Sequence, residues 1–130
     1  MYTQITYQIK ITVEPIFLEN QSLPLDNQYV WAYRVWIENQ GQETVQLLAR
    51  TWHITDSKGI TLEVKGEGVV GEKPCILPGK IYHYTSGTPL STPSGMMEGL
   101  YHMKTTSGQT FDVIIPAFSL DSPYETQEKH

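Results

Sequence analysis

The sequence predicts an all-β protein, an antiparallel sandwich of about seven short strands. Composition carries part of that prediction. Threonine (14), valine (8) and tyrosine (8) far outnumber alanine (3). Branched and aromatic side chains suit a half-buried pleated surface, whereas the best helix former is nearly missing. Periodicity carries the rest. Apolar residues recur on alternate positions in one short run after another, and the ten glycines and eight prolines punctuate the runs.

The first run, Gln4 to Val13, puts Ile5, Tyr7, Ile9, Ile11 and Val13 on one face, the period of a strand with one buried side. Tyr29, Trp31, Tyr33, Val35 and Ile37 repeat the pattern, and Asn39-Gln40-Gly41 ends it as a turn. Leu48, Trp52 and Ile54 share the face of the next strand, with Arg50 among them, before Asp56-Ser57-Lys58-Gly59 turns the chain into Ile60, Leu62 and Val64. Three further strands are expected at Ile81 to Thr85, Gly99 to Thr105 and Thr110 to Ile115, with Ser107-Gly108 as a tight turn between the last two. Two Gly- and Pro-rich stretches, Lys65 to Lys80 and Gly87 to Gly95, read as long loops, of a length that is often functional, although a long crossover between sheets is the plainer reading. Ser122-Pro123-Tyr124-Glu125 has the form of a helix cap, but nothing apolar follows at helical spacing. One sandwich domain is therefore expected over 1–120, with a flexible C-terminal tail over 121–130.

Size and charge bound the function. A chain of 130 residues makes one domain with a real core. Nine basic residues against 14 acids, a net charge of -5, argue against gripping a nucleic-acid backbone. No run of 18 apolar residues occurs and no signal segment is visible, so no membrane partner is expected. The single Cys75 excludes an internal disulfide and fits a reducing, cytoplasmic compartment.

Few residues offer chemistry. Gly66-Glu67-Gly68-Val69-Val70-Gly71 spells G-x-G-x-x-G. Pro74 and Pro78 leave no room for the helix whose N-terminus would hold a dinucleotide's phosphates. What survives is an anion nest built from the amides of Gly66, Gly68 and Gly71, serving a phosphate or nucleotide. His53, His83 and His102 lack metal-ligand spacing, and His53, opposite the Trp52 face, is expected at the surface. Cys75 reads as a small buried hydrophobe. Arg50 and Asp56 fall on the inward face, either as a buried pair or with Arg50 laid across a ring. Glu98 and Asp112 form the nearest approach to a carboxylate pair, and neither G-x-S-x-G nor S-x-x-K occurs. No catalytic residue, metal or cofactor is expected. The aromatics Trp31, Trp36, Tyr82, Tyr84 and Tyr101 read mainly as core.

Four blocks together resemble the ApaG family. They are Leu47 to Asp56 (LLARTWHITD), Gly66 to Pro74 with Leu77-Pro78-Gly79, the run Tyr84 to Gly99 (YTSGTPLSTPSGMMEG), and Phe111 to Leu120 (FDVIIPAFSL). The resemblance spans about Thr3 to Leu120. It implies a fibronectin type III-like, immunoglobulin-like sandwich without established catalysis. It also implies a bacterial link to cobalt and magnesium homeostasis and to diadenosine-tetraphosphate hydrolysis. Similar eukaryotic domains, attached to a ubiquitin-ligase subunit and to a polymerase-interacting protein, imply protein binding. The preferred reading is a non-catalytic module that binds a protein partner, another protein or a second copy of itself. The expected contact loop is Gly87 to Gly95, with Thr88, Pro89, Thr92, Pro93 and Ser94 as contacts. The alternative is the phosphate nest.

Overall fold

A computed structural model describes residues 1–124 of the chain. Nine strands run in the order β1 (Tyr2–Thr6), β2 (Ile9–Phe17), β3 (Tyr29–Asn39), β4 (Val45–Asp56), β5 (Thr61–Glu67), β6 (Cys75–Ile76), β7 (Ile81–Leu90), β8 (Ser94–Thr105) and β9 (Thr110–Asp121). All ladders are antiparallel. One sheet has the order β1-β2-β3-β7, the other β5-β4-β8-β9, with the short β6 alongside β4. Without β1 and β6, three strands face four, the arrangement of fibronectin type III domains and a close relative of the immunoglobulin sandwich. The all-β sandwich read from the sequence is therefore the fold. Two short helical turns, Glu19–Gln21 and Pro24–Asp26, fill the β2–β3 connection.

The alternating residues of β2 and β3 point inward as expected, whereas Ile5 and Tyr7 are exposed and the β-bulge between Leu47 and Ala49 puts Leu47 rather than Leu48 in the core. Ile9, Ile11 and Val13 pair with Asn39, Ile37 and Val35 across β2 and β3, and all six are buried. Trp52 anchors the opposing sheet, its ring edge-on to Tyr33 at 5.2 Å and to Phe118 at 6.0 Å. Burial of each such aromatic removes roughly 150–250 Å² from water, which makes them the largest single contributors to the core.

Several strand boundaries differ from the sequence reading, among them a short β6 inside the expected Lys65 to Lys80 loop, a β9 that runs on to Asp121, and the two that follow. Gln4 to Val13 is not one strand, because Tyr7 (φ 48°) and Gln8 (φ 66°) turn the chain left-handed and fold β1 back on β2. No glycine, asparagine or aspartate marks that turn, and each such residue stores about 1–3 kcal/mol of strain. Gly87 to Gly95 is not a loop. β7 runs through Leu90 and β8 starts at Ser94, which leaves three connecting residues. Pro89 is tolerated because β7 is an edge strand, where a missing N–H need not break the ladder.

At the chain end, Asp121 closes β9 and the Ser122 N–H donates to Pro93 O at 3.0 Å. The Tyr124 ring packs on Phe17 and Tyr29. Residues 121–124 are thus docked rather than a free tail, and 125–130, including the end of the expected cap, lie outside the described residues. Among the described residues no helix is long and apolar enough to cross a membrane.

Candidate functional site

The two sides of the sandwich differ. On one, β1 and β2 close over β9. The Ile114 N–H donates to Thr6 Oγ1 at 3.2 Å, the Ser119 N–H reaches Tyr2 Oη at 3.4 Å, and Tyr2 lies 6.0 Å from Phe118. On the other side the edge strands β5 and β7 form no such seam. Val64 pairs with Trp52 and Leu62 with Ile54, so both face the core side of their sheet. Yet Leu62 is 61% exposed and Val64 36%, with Ile60 also exposed just before them in the chain. A groove of about 480 Å³ runs here between Ile54, Ile60 and Leu62 on one wall and Pro89 and Leu90 on the other. Apolar side chains on the inner face of a sheet, left uncovered beside two unpaired strand edges, mark a surface that favours a partner.

The expected contact residues fall unevenly about this groove. Pro89 is exposed and lines it. Thr88, Thr92, Pro93 and Ser94 are buried. Thr92 is a structural rivet: its hydroxyl donates to Ser94 O at 2.7 Å and accepts the Ser57 N–H at 3.1 Å, tying the β4–β5 hairpin to the β7–β8 connection.

The glycine motif forms the tight turn after β5. Val69 and Glu72 exchange backbone hydrogen bonds around Val70 and Gly71, both at positive φ, and the Gly68 N–H donates to Leu48 O at 2.8 Å. A Cβ on Gly68 would stand 2.2 Å from Glu72 O, and one on Gly66 would stand 2.6 Å from Arg50 Nη1. Both glycines thus have packing reasons for their identity. The amide of Gly68 is directed at a carbonyl rather than outward, and Glu67 and Glu72 flank the turn.

Arg50 makes no pair with Asp56. It donates from Nη1 to the carbonyls of Glu67 (3.0 Å) and Gly68 (2.9 Å), while Asp56 Oδ1 accepts from the Lys58 and Ile60 amides and closes the β4–β5 turn. Cys75 is exposed, not buried, because Ile76 takes the inward position of β6. The histidines do not converge. His53 meets Glu63 at 2.9 Å, and that hydrogen bond, with Lys65 nearby, lowers the Glu63 pKa. His83 lies in the other sheet. Glu98 and Asp112 stay apart, since Asp112 pairs with His102, four residues (roughly 13 Å) along β8 from Glu98. No group of three or more metal-ligating side chains occurs among the described residues.

One constellation escaped the sequence. On the outer face of the β4-β8-β9 ladder, Thr51 Oγ1 lies 2.8 Å from His102 Nε2, and His102 Nδ1 lies 2.7 Å from Asp112 Oδ1. The order hydroxyl, imidazole, carboxylate is that of an activated nucleophile. Its surroundings are not. Thr51 is only 8% exposed, and it sits inside three hydrogen-bonded strands whose backbone amides are turned into the ladder rather than toward a developing oxyanion. The chain holds Asp112 in place. Only cross-strand register brings the three together, and no spacing in the sequence could have shown it.

Fold and surface together define a fibronectin type III-like sandwich with one side sealed and one open. A family model described as the ApaG domain matches residues 19–105. The chain is 60% identical over 125 residues, 96% of each chain, to Protein ApaG of Paramagnetospirillum magneticum. It is 56% identical over the full length of both chains to Protein ApaG of Parvibaculum lavamentivorans. A crystal structure of the putative ApaA protein from Bordetella pertussis matches with a TM-score of 0.86 at 43% identity, covering 92% of this chain and 97% of that one. The chain belongs to the ApaG family.

Proposed function

We propose that this protein is a non-catalytic module that binds another protein along its open side, a strand of the partner extending β5 and its apolar side chains entering the groove toward Ile54 and Leu90. The observation that carries the reading is the exposure of Leu62 and Val64 on the core-facing side of β5. Pairing on the edge supplies backbone hydrogen bonds, and the groove supplies selectivity. Of the five expected contact residues Pro89 alone lines the groove, beside Leu90 and Ser91 of the same segment. The family's implied link to cobalt and magnesium homeostasis then reflects the partner, in a cytoplasm whose reducing conditions suit the exposed Cys75.

Site-specific photocrosslinking in cells tests this. A crosslinker replacing Leu62 is expected to trap one discrete adduct, whereas one replacing Arg34, exposed on the outer face of the other sheet, traps none. An adduct of twice the chain mass identifies the partner as a second copy. Absence of any adduct at Leu62, or equal adducts at both positions, overturns the reading.

A further inference from the structure

The open side also carries a charge. Arg50 stands two residues from Trp52 and so shares the inner face of β4. Its guanidinium reaches across to β5: a Cβ added to Gly66 would stand 2.6 Å from Nη1 and 2.9 Å from Cζ. The cation thus fills the space of the missing side chain, on the inner face of a strand whose outer edge is unpaired. Burial raises the pKa of Tyr33 and Tyr84 on the opposing sheet, and the Arg50 charge works against that rise, as a cation seated between the sheets must.

This cation lacks a counter-charge. The carbonyls of Glu67 and Gly68 accept from Nη1 and fix its direction, but they neutralise nothing. Among the described residues no carboxylate lies within ion-pair distance of it. The acids close by in the chain are engaged elsewhere: Glu67 with Lys73 at 3.5 Å, Glu72 with the Tyr82 hydroxyl at 3.4 Å, and Asp56 with the Lys58 and Ile60 amides. A half-buried guanidinium has given up water without gaining a carboxylate, the partner its planar fork fits best.

We infer that the strand added to β5 presents a glutamate or aspartate opposite Gly66, its carboxylate on Arg50, and apolar side chains opposite Val64 and Leu62. This rests on the open-side reading above and names the chemistry of the partner. In an antiparallel ladder the segment reads, from its N-terminus, acid, any residue, apolar, any residue, apolar. The intervening side chains face outward beside Lys65 and Glu63, where first an acid and then a base match the edge. A second copy of the chain does not meet these demands. Its own β5 turns Leu62, Val64 and Gly66 inward, which leaves Arg50 unpaired.

Amide-resolved NMR titration of the intact protein tests this at constant ionic strength. The probe is the acetylated, amidated peptide TEEVKVT, its first glutamate set opposite Gly66. TQEVKVT lacks that charge, and sodium acetate supplies a free carboxylate. Saturable shifts are expected at Leu62, Val64 and Gly66, with the glutamine peptide binding about tenfold more weakly. Arg50→Met should abolish that preference. Because this change also releases the Gly68 turn, an exchange of surface charge gives a second check: Lys65→Glu should weaken TEEVKVT, and TEKVKVT should restore binding. Equal affinity of the native protein for the two peptides overturns the acid preference and leaves edge pairing standing. Failure of both to saturate by about 10 mM, or equal shifts with acetate, overturns the inference and leaves the Leu62 crosslink to decide the open-side reading. Concentration-dependent shifts along β5 without peptide mark a second copy as the occupant and overturn it as well.

Discussion

Tyr84 on β7 and Tyr101 on β8 hydrogen-bond to each other through their hydroxyls across the middle of the sandwich. Both rings are buried, so loss of a phenol proton would leave a charge without water. Burial accordingly drives both pKa values well above the ordinary 10.0. The sign of the consequence follows. Above about pH 10 the unfolded chain releases these protons while the folded one keeps them, so stability is whole below that pH and falls as pH rises beyond it. Urea unfolding between about pH 8 and 11 should show a decline approaching ~1.4 kcal/mol per pH unit for each tyrosine above pH 10. Tyr84→Phe with Tyr101→Phe should make it shallower, with Tyr33, Tyr82 and Tyr124, also raised, keeping a remainder, and an unchanged slope would reject this account. That both residues are core was legible in the sequence. Their meeting was not, because seventeen positions separate them along the chain and only the packing of two sheets joins them.

Among the elements, β4 and β8 pair at Trp52 and Gly99 with no room between them for a side chain at Gly99. A Cβ on Gly99 would stand 2.2 Å from Thr51 O and 3.2 Å from the Trp52 ring, so two strands would have to part to admit it. At Gly108, in the β8–β9 turn, nothing lies within 4 Å, and only the positive φ of 94° penalises a side chain. Gly99→Ala should therefore cost about 1–3 kcal/mol or more through overpacking, and Gly108→Ala about 1 kcal/mol through its backbone. Equal shifts in the urea midpoint would mean that the close approach relaxes freely. Strand interiors such as Tyr29 to Ile37 were readable from alternation alone. Boundaries failed where the local chemistry misleads. Tyr7 and Gln8 make a turn without turn residues, while Gly87 and Pro89 sit inside a strand because its free edge asks little of them.

For the molecule as a whole, the two sheets overlap unevenly. The sequence marks Leu62 and Val64 as inward-facing, correctly, but whether an inward face is covered depends on where the opposing sheet ends. Sheet one ends at β7, short of β5. That difference gives a measurable asymmetry. Replacing a core residue such as Ile11, with no exposed surface, by lysine should unfold the protein, because a buried unpaired charge is among the most costly changes a core can suffer. The same replacement at Leu62, which is 61% exposed, removes little buried area and strands no charge. It should shift the urea-derived stability by no more than about 0.5 kcal/mol, as at an ordinary surface site. A loss of several kcal/mol at Leu62 would show that the side chain belongs to the core and that the groove is an internal packing feature. Near-neutral replacement would leave an apolar side chain that the fold does not require, beside a strand edge that the fold does not pair.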